Sequence, residues 1–157
     1  MIDREGYRKN VGIILCNSHG ELLLCKRFKE DSWQFPQGGF MRNENPESAM
    51  YRELYEEIGL GRKDVSILGK TKNWLKYDLP RKYQRKTNNK LCLGQKQIWF
   101  LLRLTTNESS INLEKSKKPE FDDWEWASTT KPLEMVIDFK KNVYSLALIE
   151  LLPMLKN

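Results

Sequence analysis

Residues 38–60 constrain this chain more than any other stretch. They read Gly-Gly-Phe-Met-Arg-Asn-Glu-Asn-Pro-Glu-Ser-Ala-Met-Tyr-Arg-Glu-Leu-Tyr-Glu-Glu-Ile-Gly-Leu. A helix with defined ends lies inside them. Asn45 suits the N-cap, and Pro46 takes the first helical position, where its missing N–H costs nothing. Glu47 falls in the first turn, where the helix dipole favours a negative charge. Gly59 supplies the left-handed residue that stops a helix. Met50, Leu54 and Ile58 recur at i, i+4 and i+8 with Tyr51 and Tyr55 beside them, a stripe that faces a core. Glu53, Glu56 and Glu57 gather on another face, roughly opposite the Leu54/Tyr55 side. Like charges one turn apart destabilise a helix by a few tenths of a kcal/mol. Arg52 offsets part of this by pairing with Glu56. Carboxylate oxygens in that number suit a hard cation such as Mg²⁺ or Mn²⁺. Three glutamates alone, however, are better read as a solvated acidic helix face.

The rest of the chain places that helix among strands. Residues 11–15 and 21–27 read as two strands joined by the polar turn Asn17-Ser18-His19-Gly20. Residues 33–39, with Pro36 and the Gly38-Gly39 pair, read as a loop. Strands are expected at 65–68, 70–76, 91–104 and 124–127, a basic loop at 79–90 and a polar loop at 105–123. Residues 132–137 suit a short helix. Residues 142–152 suit a C-terminal helix that turns Val143, Leu146, Ala147, Ile149 and Leu152 to the core. The pattern predicts an α/β (α+β) domain, a mixed sheet packed between helices, over residues 6–150, followed by a tail at 151–157. A chain of 157 residues can bury a core of that size.

Other chemistries are disfavoured. His19 is the single histidine and sits in a turn, so acid–base work falls to other groups. Cys16, Cys25 and Cys92 are odd in number and form no C-x-x-C pair, which argues for free buried thiols rather than disulfides or a cysteine zinc site. No apolar run approaches the ~18 residues of a membrane span, and the opening Met-Ile-Asp-Arg-Glu-Gly lacks a secretory apolar stretch. A cytoplasmic protein without membrane contact is expected. The net charge of +6 is concentrated in residues 62–90, where ten Lys or Arg face only Asp64 and Asp78. Such a surface suits a polyanion, although a solvated basic face explains it equally.

The spacing around the glutamates separates these readings. Gly38, Glu44, Arg52, Glu53, Leu54, Glu56, Glu57, Gly59 and Leu60 fit Gly-x5-Glu-x7-Arg-Glu-U-x-Glu-Glu-x-Gly-U, with U aliphatic, at every position. The segment resembles the Nudix box. The segments 2–12, 33–39 (Trp-Gln-Phe-Pro-Gln-Gly-Gly), 94–100 (Gly-Gln-Lys-Gln-Ile-Trp-Phe) and 119–124 (Pro-Glu-Phe-Asp-Asp-Trp) extend the likeness to bacterial RNA pyrophosphohydrolases, a branch shared with dinucleoside polyphosphate hydrolases. One departure is Arg42-Asn43, where relatives commonly carry Pro-Gly. Asn tolerates the left-handed conformation that Gly would supply, so the turn should survive.

The resemblance implies a Nudix fold and a loop–helix–loop that binds a divalent cation, magnesium first, with manganese or zinc as alternatives. Glu53, Glu56 and Glu57 would be ligands, the Gly38 carbonyl would complete the shell, and Glu120 would add an oxygen or position water. Glu44, Arg52 and Gly59 would be structural, Arg52 bracing Glu56 and Glu44 fixing the loop. Glu53 or Glu57 would take a proton from water as a phosphoanhydride bond breaks. For substrate, Arg8, Arg27, Lys140 and Tyr77 are candidates for phosphates, Ser32, Gln34, Gln37, Gln95 and Gln97 for polar lining, and Phe139 for stacking on a base. The implied activity is hydrolysis of 5′-triphosphorylated or diphosphorylated RNA to 5′-monophosphate RNA by a monomer, promoting mRNA decay. A dinucleoside polyphosphate hydrolase and a non-catalytic RNA-binding module are the alternatives.

Overall fold

The computed structural model describes residues 2–156. Its central strand is β1 (Tyr7–Cys16), in which every residue from Val11 to Cys16 is buried. Both faces of β1 are covered, which explains its unbroken apolar run. Strands β2 (Leu22–Arg27), β3 (Trp33–Gln34) and β4 (Gln37–Gly39) follow, then helix α1 (Pro46–Ile58). Next come β5 (Val65–Lys70), β6 (Leu75–Asp78), the two-residue strands β7 (Lys86–Thr87) and β8 (Lys90–Leu91), and the long β9 (Gly94–Leu104). Strand β10 (Phe121–Ala127), helix α2 (Lys131–Met135) and helix α3 (Lys141–Leu151) complete the order.

The main sheet runs β10-β2-β1-β9-β5, with β3 on β2, β4 on β1 and β6 on β9. β1 and β9 are parallel; the other pairs are antiparallel. The expected mixed sheet between helices is therefore present. On one face Val11, Ile13 and Leu15 meet Met50, Leu54 and Ile58 of α1. On the other, Ile14, Trp99 and Leu101 meet Val143, Tyr144, Ala147 and Leu148 of α3. Gly12 is required where these layers meet, because a β carbon there would enter the Trp99 indole.

Several boundaries differ from the expectations. The stretch 70–76 is not one strand. β5 and β6 both pair with β9 and break opposite Trp99, where the Thr71 side chain and backbone bond the Trp99 backbone at 3.0 and 2.9 Å. The 33–39 loop contains β3 and β4, short strands recruited by β2 and β1. The strand expected from residue 91 begins at Gly94. The preceding basic loop holds the small β7–β8 hairpin, whose turn residues Asn88 and Asn89 take positive φ. Leu146 and Ile149 point outward, because the buried stripe of α3 runs through 143, 144, 147, 148 and 151. Tyr55 is likewise exposed. Leu151 ends α3 in the core, and Leu152–Lys156 continue as tight turns with the Leu155 carbonyl accepting from Arg103 at 2.8 Å. All three cysteines are buried and free, although Cys92 sits between strands.

Candidate active site

Local signals fix α1 at both ends. Asn45 Oδ1 accepts the Ser48 N–H at 2.8 Å and Ser48 Oγ accepts the Asn45 N–H at 3.0 Å, a reciprocal cap. Gly59 has φ 76° and its N–H reaches the Tyr55 carbonyl at 2.9 Å. In the preceding loop Asn43 takes φ 66°, the conformation that glycine would supply.

Arg52 ties this loop to the helix. Its Nε donates to Glu44 Oε2 at 2.7 Å, its Nη2 to Glu44 Oε1 at 3.0 Å and to the Gly39 carbonyl at 2.6 Å. Nη1 reaches Glu53 at 2.6 Å and Glu56 at 3.1 Å. The tie to Glu56 is thus one of several, and it is the most exposed. Glu44 also accepts the Met41 N–H at 2.6 Å, closing the loop on itself.

The three box carboxylates occupy unequal environments. Glu56 is partly exposed, Glu53 is mostly covered, and Glu57 is buried at 7%. Glu57 does not lie opposite Leu54. It lies three residues after Leu54 and next to Ile58, so it borders the core-facing stripe. Burial pushes its carboxyl well above the ordinary range, and the charges of Glu53 and Glu120 push the same way. Burial also raises Glu53, with Arg52 opposing. Glu57 Oε1 has no hydrogen-bond partner among the described residues. Gly38 lies directly against Glu53: a β carbon on Gly38 would occupy the space of its carboxylate. Strand β4 holds Gly38 there by pairing it with Val11. Glu120 is exposed immediately before β10, its carbonyl accepting the Phe28 N–H at 2.9 Å, and its charge is felt by both Glu53 and Glu57.

These residues fit a divalent cation. Among the described residues no three acids converge as a closed cage. The donor set is nonetheless hard oxygen throughout, one buried oxygen is orphaned, and the Gly38 backbone abuts Glu53 with no side chain between. A positive charge placed there would favour the ionised forms of Glu53 and Glu57, which burial and then the neighbouring carboxylates oppose.

Beside the acids opens a groove of about 310 Å³ that brings together Arg27, Ser32, Gln34, Gln37, Tyr77, Phe139 and Lys140. Lys140 is 6% exposed, its Nζ 3.4 Å from Gln34 Oε1. Burial and the nearby Arg27 charge push it down to about 8. Burial pushes Tyr77 up to about 12, and its hydroxyl accepts from Gln37 Nε2 at 3.2 Å. Phe139 stands half-buried between Tyr77 and Tyr83, with ring centroids 5.9 and 5.8 Å away. Arg27 Nε lies 3.4 Å from Glu30.

Arg8 and Gln95 are not in the groove lining. They are register partners on β1 and β9, next to Tyr77 on β6. Arg8 Nε, Gln95 Oε1 and Gln37 Oε1 lack partners among the described residues. Contrary to expectation, Gln97 does not line the groove. It is fully buried, donates to Asn10 at 2.8 Å and accepts from Trp99 Nε1 at 3.0 Å, so its amide is spent inside the sheet. Tyr83 and Ile137 line the groove and carried no sequence signal beyond being apolar residues in polar segments. A larger cavity of about 950 Å³, between Gly59 and residues 109–124, contains no box glutamate, so size alone does not mark the site.

Residues 6–146 match the model of the NUDIX domain. The chain is 53% identical over 153 residues to an RNA pyrophosphohydrolase of Proteus mirabilis, covering 98% of this chain and 87% of that protein. It is 56% identical over 144 residues to one of Photorhabdus laumondii, covering 92% and 82%. Among solved structures, the Escherichia coli dihydroneopterin triphosphate pyrophosphohydrolase aligns with TM-score 0.71 at 14% identity over 92% of this chain and 98% of that one. A Caenorhabditis elegans Ap4A hydrolase aligns with TM-score 0.62 at 18% identity over 88% and 93%. At these identities the structural likenesses speak to fold alone.

Proposed function

The chain belongs to the NUDIX family, and from that membership we propose that it is an RNA 5′-pyrophosphohydrolase, cleaving phosphoanhydride bonds of 5′-triphosphorylated or diphosphorylated RNA and leaving 5′-monophosphate ends that favour mRNA decay. One observation carries the reading. The buried Glu57, with its orphaned oxygen, and Glu53, pressed on Gly38, open beside a groove that offers both cations and aromatic rings. Carboxylates for a cation, cations for phosphates and rings for a base are what the end of an RNA chain requires. The charge of +6 favours a polyanion over a small nucleotide.

Glu53, Glu56, Glu57 and the Gly38 carbonyl would hold a divalent cation, with Glu120 at its edge; magnesium is the first choice, with manganese or zinc as alternatives. When bound, such an ion neutralises phosphate charge and acidifies water. Lys140 and Arg27 orient the phosphate chain from the groove side, and Arg8 with Gln95 extends that polar surface. Phe139 presents ring surface to a base, and Tyr77 would meet a phosphate through its hydroxyl. Water attacks one phosphorus, its proton passes to Glu53 or Glu57, and phosphate or pyrophosphate leaves without a covalent enzyme intermediate. Burial raises Glu57 further than Glu53, so of the two carboxylates Glu57, once ionised beside a cation, would be the stronger proton acceptor. Arg52 acts one step away, holding Glu53 and the Gly39 carbonyl in place.

The test is a side-by-side assay with 5′-triphosphorylated RNA, diadenosine tetraphosphate and nucleoside triphosphates, each with Mg²⁺ and with chelator. The reading expects the highest kcat/KM on RNA and none with chelator. A preference for diadenosine tetraphosphate would reassign the substrate, and absence of turnover on all three would leave only a binding module.

A further inference from the structure

The sheet carries a second set of cations away from the groove. Lys9 on β1, Lys96 on β9 and Lys76 on β6 are cross-strand partners, so their side chains leave the same face. Like charges directly opposite destabilise a sheet. Two of them are relieved, Lys96 by Asp3 at 2.7 Å and Lys76 by Glu5 at 3.1 Å. Lys9 has no acidic partner among the described residues. Its ammonium instead lies 5.7 Å from the centre of the Trp74 ring, with Lys96 at 5.4 Å. Phe40 packs on Trp74 with centroids 5.8 Å apart.

A cavity of about 420 Å³ opens here, lined by Lys9, Phe40, Met41 and Arg42, with Asp3 and Glu44 at its wall. Both acids are already engaged, Asp3 by Lys96 and the Tyr7 N–H, Glu44 by Arg52 and the Met41 N–H. The charge left over is that of Lys9 and Arg42. Met41 is 57% exposed beside them. Phe40 follows Gly38 by two residues in the chain, so the cavity adjoins the expected cation ligands Glu53, Glu56 and Glu57 without including their side chains, and Glu44 of the same box stands at its wall. Cations without an acidic partner among the described residues, next to the half-buried Phe40 ring and the exposed Met41, form the kind of surface that single-stranded nucleic acid takes, phosphates on the cations and a base on the ring edge it leaves open.

We propose that this patch binds a single-stranded segment of the RNA substrate away from its 5′ end, Lys9 and Arg42 contacting phosphates and Phe40 with Met41 receiving a base. The proposal rests on the reading of the chain as an enzyme of RNA. The test uses the double variant Lys9→Ser/Arg42→Ser, both positions being exposed. Two quantities are measured: binding of a 5′-hydroxyl RNA of roughly 16 nucleotides, across salt concentrations, and kcat/KM on a 5′-triphosphorylated dinucleotide. Each single-strand phosphate contact contributes about 0.7 to the slope of log K against log salt. The variant should therefore flatten that slope by about 1.4 and bind the longer RNA roughly tenfold more weakly at about 50 mM salt. Cleavage of the dinucleotide should be unchanged. Unaltered affinity and slope would overturn the proposal, and so would an equal loss on the dinucleotide. If wild-type protein bound the longer RNA through these residues yet cleaved no RNA, the patch would stand and the proposed function would fall.

Discussion

Gly38→Ala separates the site from the fold. Gly38 sits in β4 with no positive φ, so alanine is free to adopt its backbone conformation. The new β carbon would occupy the space of the Glu53 carboxylate, which must retreat by roughly 1 Å or more to regain ordinary contact; a misplacement of that size costs on the order of 10²-fold in rate. That loss corresponds to about 2.7 kcal/mol of transition-state stabilisation. The fold pays far less attention to the change. Glu53 is the end of a movable side chain, and losing a glycine narrows the unfolded ensemble by about 0.4–1 kcal/mol. Stability should therefore shift by no more than about 1 kcal/mol either way. The assay is kcat on 5′-triphosphorylated RNA beside denaturant unfolding of the same preparation. A variant with wild-type kcat would refute the claim that Gly38 and Glu53 share one centre. A loss of several kcal/mol of stability would show that the glycine serves packing instead.

Glu57→Gln should abolish turnover while leaving the unfolding midpoint unchanged or higher in the presence of chelator, because the fold penalises a charge at this buried position; a marked fall in the midpoint would show that the carboxylate is a structural ion. Lys140, lowered to about 8 from an ordinary 10.5, binds its proton less readily folded than unfolded, so it subtracts stability below pH 8 and stops doing so as pH rises toward 10.5. Lys140→Met should accordingly stabilise at pH 7 by at most about 3 kcal/mol and lose that advantage between pH 8 and 10.5 in parallel unfolding titrations, while RNA affinity drops; a pH-independent difference would contradict the assignment. Tyr144→Phe strands the buried Phe35 N–H that now donates to the Tyr144 hydroxyl at 2.9 Å, and should cost about 1–3 kcal/mol by chemical denaturation; a neutral result would mean that water replaces the hydroxyl.

What the sequence disclosed was what local chemistry determines. Asn45, Pro46 and Gly59 bound α1 because caps are set by neighbours in the chain, and Met50, Leu54 and Ile58 found the core because their spacing matches the helix. The resemblance along the chain led to most of the groove, including Phe139 and Lys140. What escaped was decided by distant partners. The Thr71–Trp74 break exists because Trp99 of β9 demands it, and Gln97 is buried because Asn10 and Trp99 arrive from elsewhere to satisfy its amide. The burial of Glu57 was missed because helical angle places it only at the edge of the apolar stripe, and the sheet decides which side of that edge is covered.

The central claim, that Glu53, Glu57 and the Gly38 backbone form one cation site, is tested most directly by a crystal of the protein grown with Mn²⁺ and measured for anomalous scattering. The account expects a peak in contact with both carboxylates and the Gly38 carbonyl, and its loss in Glu57→Gln. A peak only elsewhere, in crystals whose protein still hydrolyses 5′-triphosphorylated RNA, would contradict it.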